Sequence, residues 1–146
     1  MKIRIKRLHE NAKLPIKATS GSSGYDLTAV SFERLNEHIW IYDIGLAIQI
    51  PAGHEGQLRA RSSIFKTGCF LANGVGTLDS DYLGPVRLVF IGPNQPYQIG
   101  DRIAQLVIAK VSNQVNFEVV DVLTTTERGE GGFGSTGMGT LGYGKL

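Results

Sequence analysis

Turn-forming residues recur about every ten residues along this chain, and that spacing constrains its fold more than any other feature. Between the turns lie short β-prone runs. Lys2 to Arg7 alternates charge with Ile3 and Ile5, as a half-buried strand does. Further strands are predicted at Tyr25–Val30, His38–Tyr42, Leu46–Ile50, Gly56–Ala60, Val86–Ile91, Ile103–Val111 and Val115–Val120. Asp43 and Gly45, Pro51-Ala52-Gly53, Gly92-Pro93-Asn94 and Gly100-Asp101 supply turns between them. Glycine is 19 of 146 residues, well above the usual share of roughly 7%, which fits many tight turns and close backbone–ligand approaches. The pattern predicts an all-β sandwich or barrel. One short helix is expected at Ser62–Gly68, with an N-cap candidate at its start and a glycine stop.

Several function classes are disfavoured by composition. A net charge of +2, with Lys and Arg scattered, leaves no nucleic-acid footprint. No apolar run reaches the roughly 18 residues of a membrane helix, and the basic start lacks the apolar stretch of a signal peptide. These features predict a soluble cytoplasmic protein. The single cysteine, Cys69, forms no internal disulfide and is expected as a small buried thiol. His9, His38 and His54 show no metal-ligand spacing.

The chemistry is expected in the stretch from Asn73 to Gly84, a hairpin-like loop. It holds a carboxamide (Asn73), two carboxylates (Asp79, Asp81) and Tyr82 around a glycine-lined backbone that includes Gly76. A structural turn with a solvated Asp pair is the plainer alternative. Arg61-Ser62-Ser63 opens the short helix and is either an anion site or an ordinary capped start. Gly100 to Gln105 reads as a turn and a strand, but Gln105 in an apolar run asks for a partner. Beyond Arg128 the tail carries 8 glycines in 18 residues. Its run Gly129-Glu130-Gly131-Gly132-Phe133-Gly134-Ser135-Thr136 resembles a phosphate-binding loop without its lysine. Successive amides and two hydroxyls could cradle an anion there, and Phe133 could stack on a base. A mobile tail is the alternative.

Together these stretches resemble the trimeric dUTP pyrophosphatase (dUTPase) family. Five motifs stand in the family's order: Ser23–Leu27, Arg61–Ser63, Gly76–Gly84, Gly100–Leu106 and Arg128–Gly137. The resemblance implies an all-β, jelly-roll-like barrel over residues 1–127. It also implies a glycine-rich C-terminal arm, 128–146, that closes a neighbouring subunit's site in a homotrimer. The implied reaction takes dUTP to dUMP and pyrophosphate, limits uracil incorporation into DNA and supplies dUMP for thymidylate synthesis. Asp79 matches the carboxylate that activates water. Asn73 and Gly76 match the uracil-binding hairpin, and Tyr82 matches the tyrosine on deoxyribose. Arg61, Ser62, Ser63 and Gln105 match the phosphate side. Arg128, Phe133, Gly134, Ser135 and Thr136 match the arm. Asp26 matches a carboxylate near the water shell of Mg²⁺, the implied cofactor. Ala60, Leu83 and Pro85 depart from the residues usual in the family. The rivals are a dCTP deaminase-like enzyme of the same fold and a non-enzymatic nucleotide-binding regulatory protein.

Overall fold

The computed structural model describes residues 1–112, 115–132 and 135. By internal contact the chain divides into two units, Met1–Asn113 and Gln114–Leu146. The expected domain limit at 127/128 falls within the second.

The first unit contains nine strands: β1 (Arg4–Arg7), β2 (Tyr25–Thr28), β3 (Ser31–Arg34), β4 (Ile39–Gln49), β5 (His54–Ala60), β6 (Phe70–Leu71), β7 (Val75–Leu78), β8 (Pro85–Ile91) and β9 (Arg102–Lys110). They form two antiparallel sheets. One runs β1-β4-β8-β6 with β3 also paired to β4, and the other runs β2-β9-β5-β7. Inward side chains from both sheets meet in one core, with Tyr42, Ile44, Leu46, Ile48, Val86, Leu88 and Phe90 from the first and Leu58, Leu78, Ile103 and Leu106 from the second. Burial of each such side chain stabilises the fold by about 1.5–3 kcal/mol. The expected all-β, jelly-roll-like barrel is the observed architecture.

β4 departs from the sequence expectation. Asp43 and Gly45 do not turn the chain between two strands. They form a bulge inside one 11-residue strand, where the register against β8 shifts between Asp43 and Ala47. Gly45 adopts φ 69° and donates its N–H to Asp43 Oδ1 at 2.6 Å. A Cβ there would lie 2.7 Å from the His9 Cβ. Because β8 pairs on both sides of the irregularity, the strand bends without ending. One edge of β4 then carries β3 and β1 end to end.

Tyr42 ties β4 to the 92–100 loop. Its hydroxyl donates to the Tyr97 carbonyl at 2.7 Å and accepts from the Tyr97 N–H at 3.2 Å. Tyr42, Phe90 and Tyr97 stack edge-on, with centroids 5.3–6.1 Å apart. Cys69 is a buried thiol, as expected, and donates to the Asn94 carbonyl at 3.2 Å.

Two further expectations need correction. The short helix, Ser62–Thr67, is a 3₁₀ helix whose N-cap is Arg61, and no side chain caps it. Six residues ending at the left-handed Gly68 (φ 68°) are too few to set up an α-helical ladder. In the second unit, Val115–Val120 is not a strand. Among the described residues it has no strand to pair with, and Phe117 and Val119 are 96% and 99% exposed. Thr126 accepts the Gly129 N–H through both its carbonyl and its hydroxyl, which closes a turn.

Candidate active site

The Asn73–Gly84 stretch is less of a loop than its composition suggests. Val75–Leu78 is an edge strand paired with β5, so Gly76 lies opposite Leu58 and Leu78 opposite Gly56. Turns bracket it. Gly74, at φ 65°, reverses the chain before β7. After β7 the Tyr82 N–H donates to the Asp79 carbonyl at 3.2 Å.

This arrangement opens a cavity of about 390 Å³ whose walls include Asn73, Gly76, Asp79, Tyr82, Leu58 and Arg87. Gly76 has a steric reason to be glycine, since a Cβ would sit 3.0 Å from the Asn73 Nδ2 and 3.2 Å from the Leu58 Cβ. Tyr82 is held from behind, its hydroxyl donating to the Pro85 carbonyl at 2.9 Å. Gly84 leaves room for that contact, because a Cβ there would lie 2.6 Å from the hydroxyl. Asp79 is exposed at the cavity wall, immediately after the buried Leu78. Asp81 does not line the cavity.

Arg87 was not among the expected site residues. It is the one charge in the otherwise apolar run Val86–Ile91, and that interruption was the available signal. Its Nε lies 3.1 Å from Asp43 Oδ2 across β4 and β8. Asp43 thus links the β4 bulge to the cavity wall.

A second cluster sits on the same sheet at β2, β9 and the end of β5. Asp26 and Gln105 face each other in the β2–β9 register. Asp26 is 3% exposed. Its Oδ2 accepts from Arg102 Nη1 at 2.9 Å, and its Oδ1 lies 3.4 Å from Gln105 Nε2 and 3.5 Å from Arg61 Nε. Arg61 Nη1 also donates to the Arg102 carbonyl at 3.1 Å. Gln105 therefore has the partner its setting required. Gly24 lets its side chain lie flat, since a Cβ there would come within 2.9 Å of the Gln105 Cβ. Ser62 and Ser63 follow Arg61 at the start of the 3₁₀ helix. None of these residues lines the hairpin cavity. β2, with Asp26, and β7, with Gly76, are the two outer strands of their sheet.

Among the described residues no three His, Cys, Asp or Glu side chains gather into a metal cage. A carboxylate offers about four acceptor sites, and three donors already face Asp26. This donor set fits an ion held mainly by phosphate oxygens and water, the preference of Mg²⁺, and does not fit a metal bound directly by the protein.

In the second unit, Arg128 Nε donates to the Gly131 carbonyl at 2.9 Å, and the Ser135 N–H donates to the Gly132 carbonyl at 2.9 Å. Phe133, Gly134 and Thr136, also expected as site residues, lie outside the described residues.

Fold and geometry define a class: a jelly-roll-like antiparallel barrel with a small cavity of mixed polar and apolar lining beside an edge strand and a guanidinium–carboxylate cluster. The sequence model of the dUTPase family matches residues 10–137. A deoxyuridine 5′-triphosphate nucleotidohydrolase of Hydrogenobaculum sp. (strain Y04AAS1) is 42% identical over 151 residues, covering 94% of this chain and 99% of that protein. The enzyme of the same name from Helicobacter pylori (strain P12) is 38% identical over 143 residues, covering 94% and 98%. A mutant dUTPase of Staphylococcus bacteriophage 80α, solved with dUpNHpp, superposes with a TM-score of 0.80 at 23% identity, covering 93% of this chain and 98% of that one. A mutant dUTPase of phage φ11 of S. aureus, in which a structural Mg(II) ion is coordinated, gives 0.69 at 21% identity, covering 82% and 97%. The chain belongs to the dUTPase family.

Proposed function

We propose that this chain is a dUTP diphosphatase, which hydrolyses dUTP to dUMP and pyrophosphate. The observation that carries this reading is the hairpin cavity, which gathers a carboxamide, a glycine-lined backbone, a carboxylate and a tyrosine in a member of the dUTPase family. Asn73 and the backbone around Gly76 hold the uracil edge and discriminate against a 5-methyl group. Tyr82, anchored to Pro85, packs on the deoxyribose and excludes a 2′-hydroxyl.

Asp79 is the general base, and carboxylates are normally ionised at pH 7. Asp79 takes one proton from water as the oxygen attacks the α-phosphorus. The bond from the α-phosphorus to its bridging oxygen breaks, and pyrophosphate leaves. Arg61, Ser62, Ser63 and Gln105 bind the phosphate chain, and a guanidinium supplies charge-assisted hydrogen bonds there. Bound Mg²⁺ would neutralise phosphate charge, and Asp26 would hold it indirectly, through water.

The chain acts as a homotrimer. The support is that the base-side and phosphate-side residues do not line one cavity within a chain. The arm, with Arg128, Phe133, Gly134, Ser135 and Thr136, closes over a neighbouring copy's site. No helix of the described residues is long and apolar enough to cross a membrane. The substrate is a cytoplasmic metabolite, and we assign the activity to that compartment.

The test is pyrophosphate release from dUTP, dCTP, dTTP and UTP, each with and without Mg²⁺, with ammonia followed in parallel. Pyrophosphate from dUTP alone, dependent on Mg²⁺, is the expected result. Ammonia from dCTP would mean a deaminase, and no turnover of any of the four would mean a nucleotide-binding regulatory protein.

A further inference from the structure

Arg102 belongs to none of the roles assigned so far, yet it makes the shortest contact in the second cluster. Its Nη1 lies 2.9 Å from Asp26 Oδ2. The Asp26 side chain is 2% exposed, and its two cationic neighbours, Arg61 and Arg102, are 26% and 46% exposed. A buried carboxylate needs a counter-charge and strong hydrogen bonds. Arg102 supplies both at close range, whereas Arg61 Nε stands off at 3.5 Å and is buried with no hydrogen-bond partner among the described residues.

Arg61 is held at two of its nitrogens, Nε beside Asp26 and Nη1 on the Arg102 carbonyl. Among the described residues its Nη2 makes no hydrogen bond. Two guanidiniums against one carboxylate leave the cluster with a charge of about +1, which favours an incoming polyphosphate, whereas without Arg102 the Asp26 and Arg61 charges would cancel.

We propose that Arg102 is a positioning residue for triphosphate binding: it neutralises Asp26, so that Asp26 orients Arg61 without capturing it and the outer nitrogen of Arg61 is left for phosphate. Without Arg102, Asp26 would have Arg61 as its remaining cationic partner and would draw that guanidinium inward. The proposal rests on the reading of Arg61 as a phosphate ligand.

The experiment measures the Kd of dUpNHpp and of dUMP in EDTA, so that no metal contributes, for wild type, Arg61→Gln, Arg102→Gln, Arg102→Lys, Asp26→Asn and the double variant Asp26→Asn/Arg102→Gln. Arg102→Gln is expected to weaken dUpNHpp about tenfold and to leave dUMP within about twofold, since one charge-assisted contact to a polyphosphate is at stake. Arg102→Lys keeps the counter-charge without the fork and is expected to recover most of that affinity. In the Asp26→Asn background, Arg102→Gln is expected to add little, because residues that act through one another are not additive.

Equal loss for dUpNHpp and dUMP, or no loss for either, would overturn the proposal. So would a full further loss in the Asp26→Asn background, which would make Arg102 a direct phosphate ligand. If Arg102→Gln fails to fold, the double variant is compared with Asp26→Asn: equal Kd values support the proposal and a tenfold gap sinks it. An unchanged Kd in Arg61→Gln would instead bring down the phosphate reading of this cluster.

Discussion

Asp79 sits where a base is useful: at the end of β7, on the cavity wall and next to a buried anchor, Leu78. Asp79→Asn preserves size and loses basicity. It is expected to lower kcat by on the order of 10²–10⁴ while the Kd for dUpNHpp changes little. Asp81→Asn, off the cavity wall, should cost far less in the same assay. Tyr82 tests selectivity, because its Pro85 contact fixes the ring beside the cavity. Tyr82→Ala should raise the UTP/dUTP ratio of kcat/KM, and an equal fall in both rates would assign Tyr82 to positioning alone. Gly84→Ala reaches the same ring from behind. The added methyl would meet the tyrosine hydroxyl, so activity should fall while urea unfolding changes little.

At the scale of elements, the bulge in β4 and the Tyr42–Tyr97 pair set the barrel wall beside the 92–100 loop. Burial pushes the hydroxyl pKa of both tyrosines above the ordinary value of 10.0. The unfolded chain therefore loses these protons first as pH rises. The stabilisation they give is full below pH 10 and is lost as pH climbs through their raised folded values. Urea midpoints should hold steady up to about pH 10 and then fall. Tyr42→Phe should flatten part of that fall. At neutral pH the same change leaves the Tyr97 N–H without its acceptor, at a cost of about 1–3 kcal/mol, while Gln95 Nε2 still donates to the Tyr97 carbonyl. The C-terminal segment behaves differently: a chain ending at Glu127 loses little core material and should unfold like the full chain. It should also lose most of its activity if the arm holds base and phosphates, and an unchanged rate would reduce the arm to a linker.

For the whole molecule, the separation of the clusters sets the expected assembly. Asp26 lies on one outer strand of the sheet and Gly76 on the other. In the proposed homotrimer, a triphosphate bridges groups from more than one copy. Sedimentation equilibrium should then give about three times 15.8 kDa. Mixing Asp79→Asn chains with Arg61→Gln chains should restore activity, because some sites in mixed assemblies then carry neither change. A clean monomer that still hydrolyses dUTP would end the shared-site reading.

The local chemistry was legible in the sequence. Turn spacing and alternation marked six of the strands, because they depend on residues adjacent in the chain. The stretch from Asn73 to Tyr82 was singled out for the same reason, its polar groups being clustered along a few residues. Tertiary structure decided what depends on partners. Asp43 and Gly45 read as a turn until β8 paired on both sides of them, and Val115–Val120 read as a strand although no neighbour completes it. β3, β6 and β7 were missed because β4, β8 and β5, not their own sequences, recruit them. Arg87 and Arg102 looked like ordinary surface charges. Their carboxylate partners lie 44 and 76 residues away, and only the folded sheets bring those charges together.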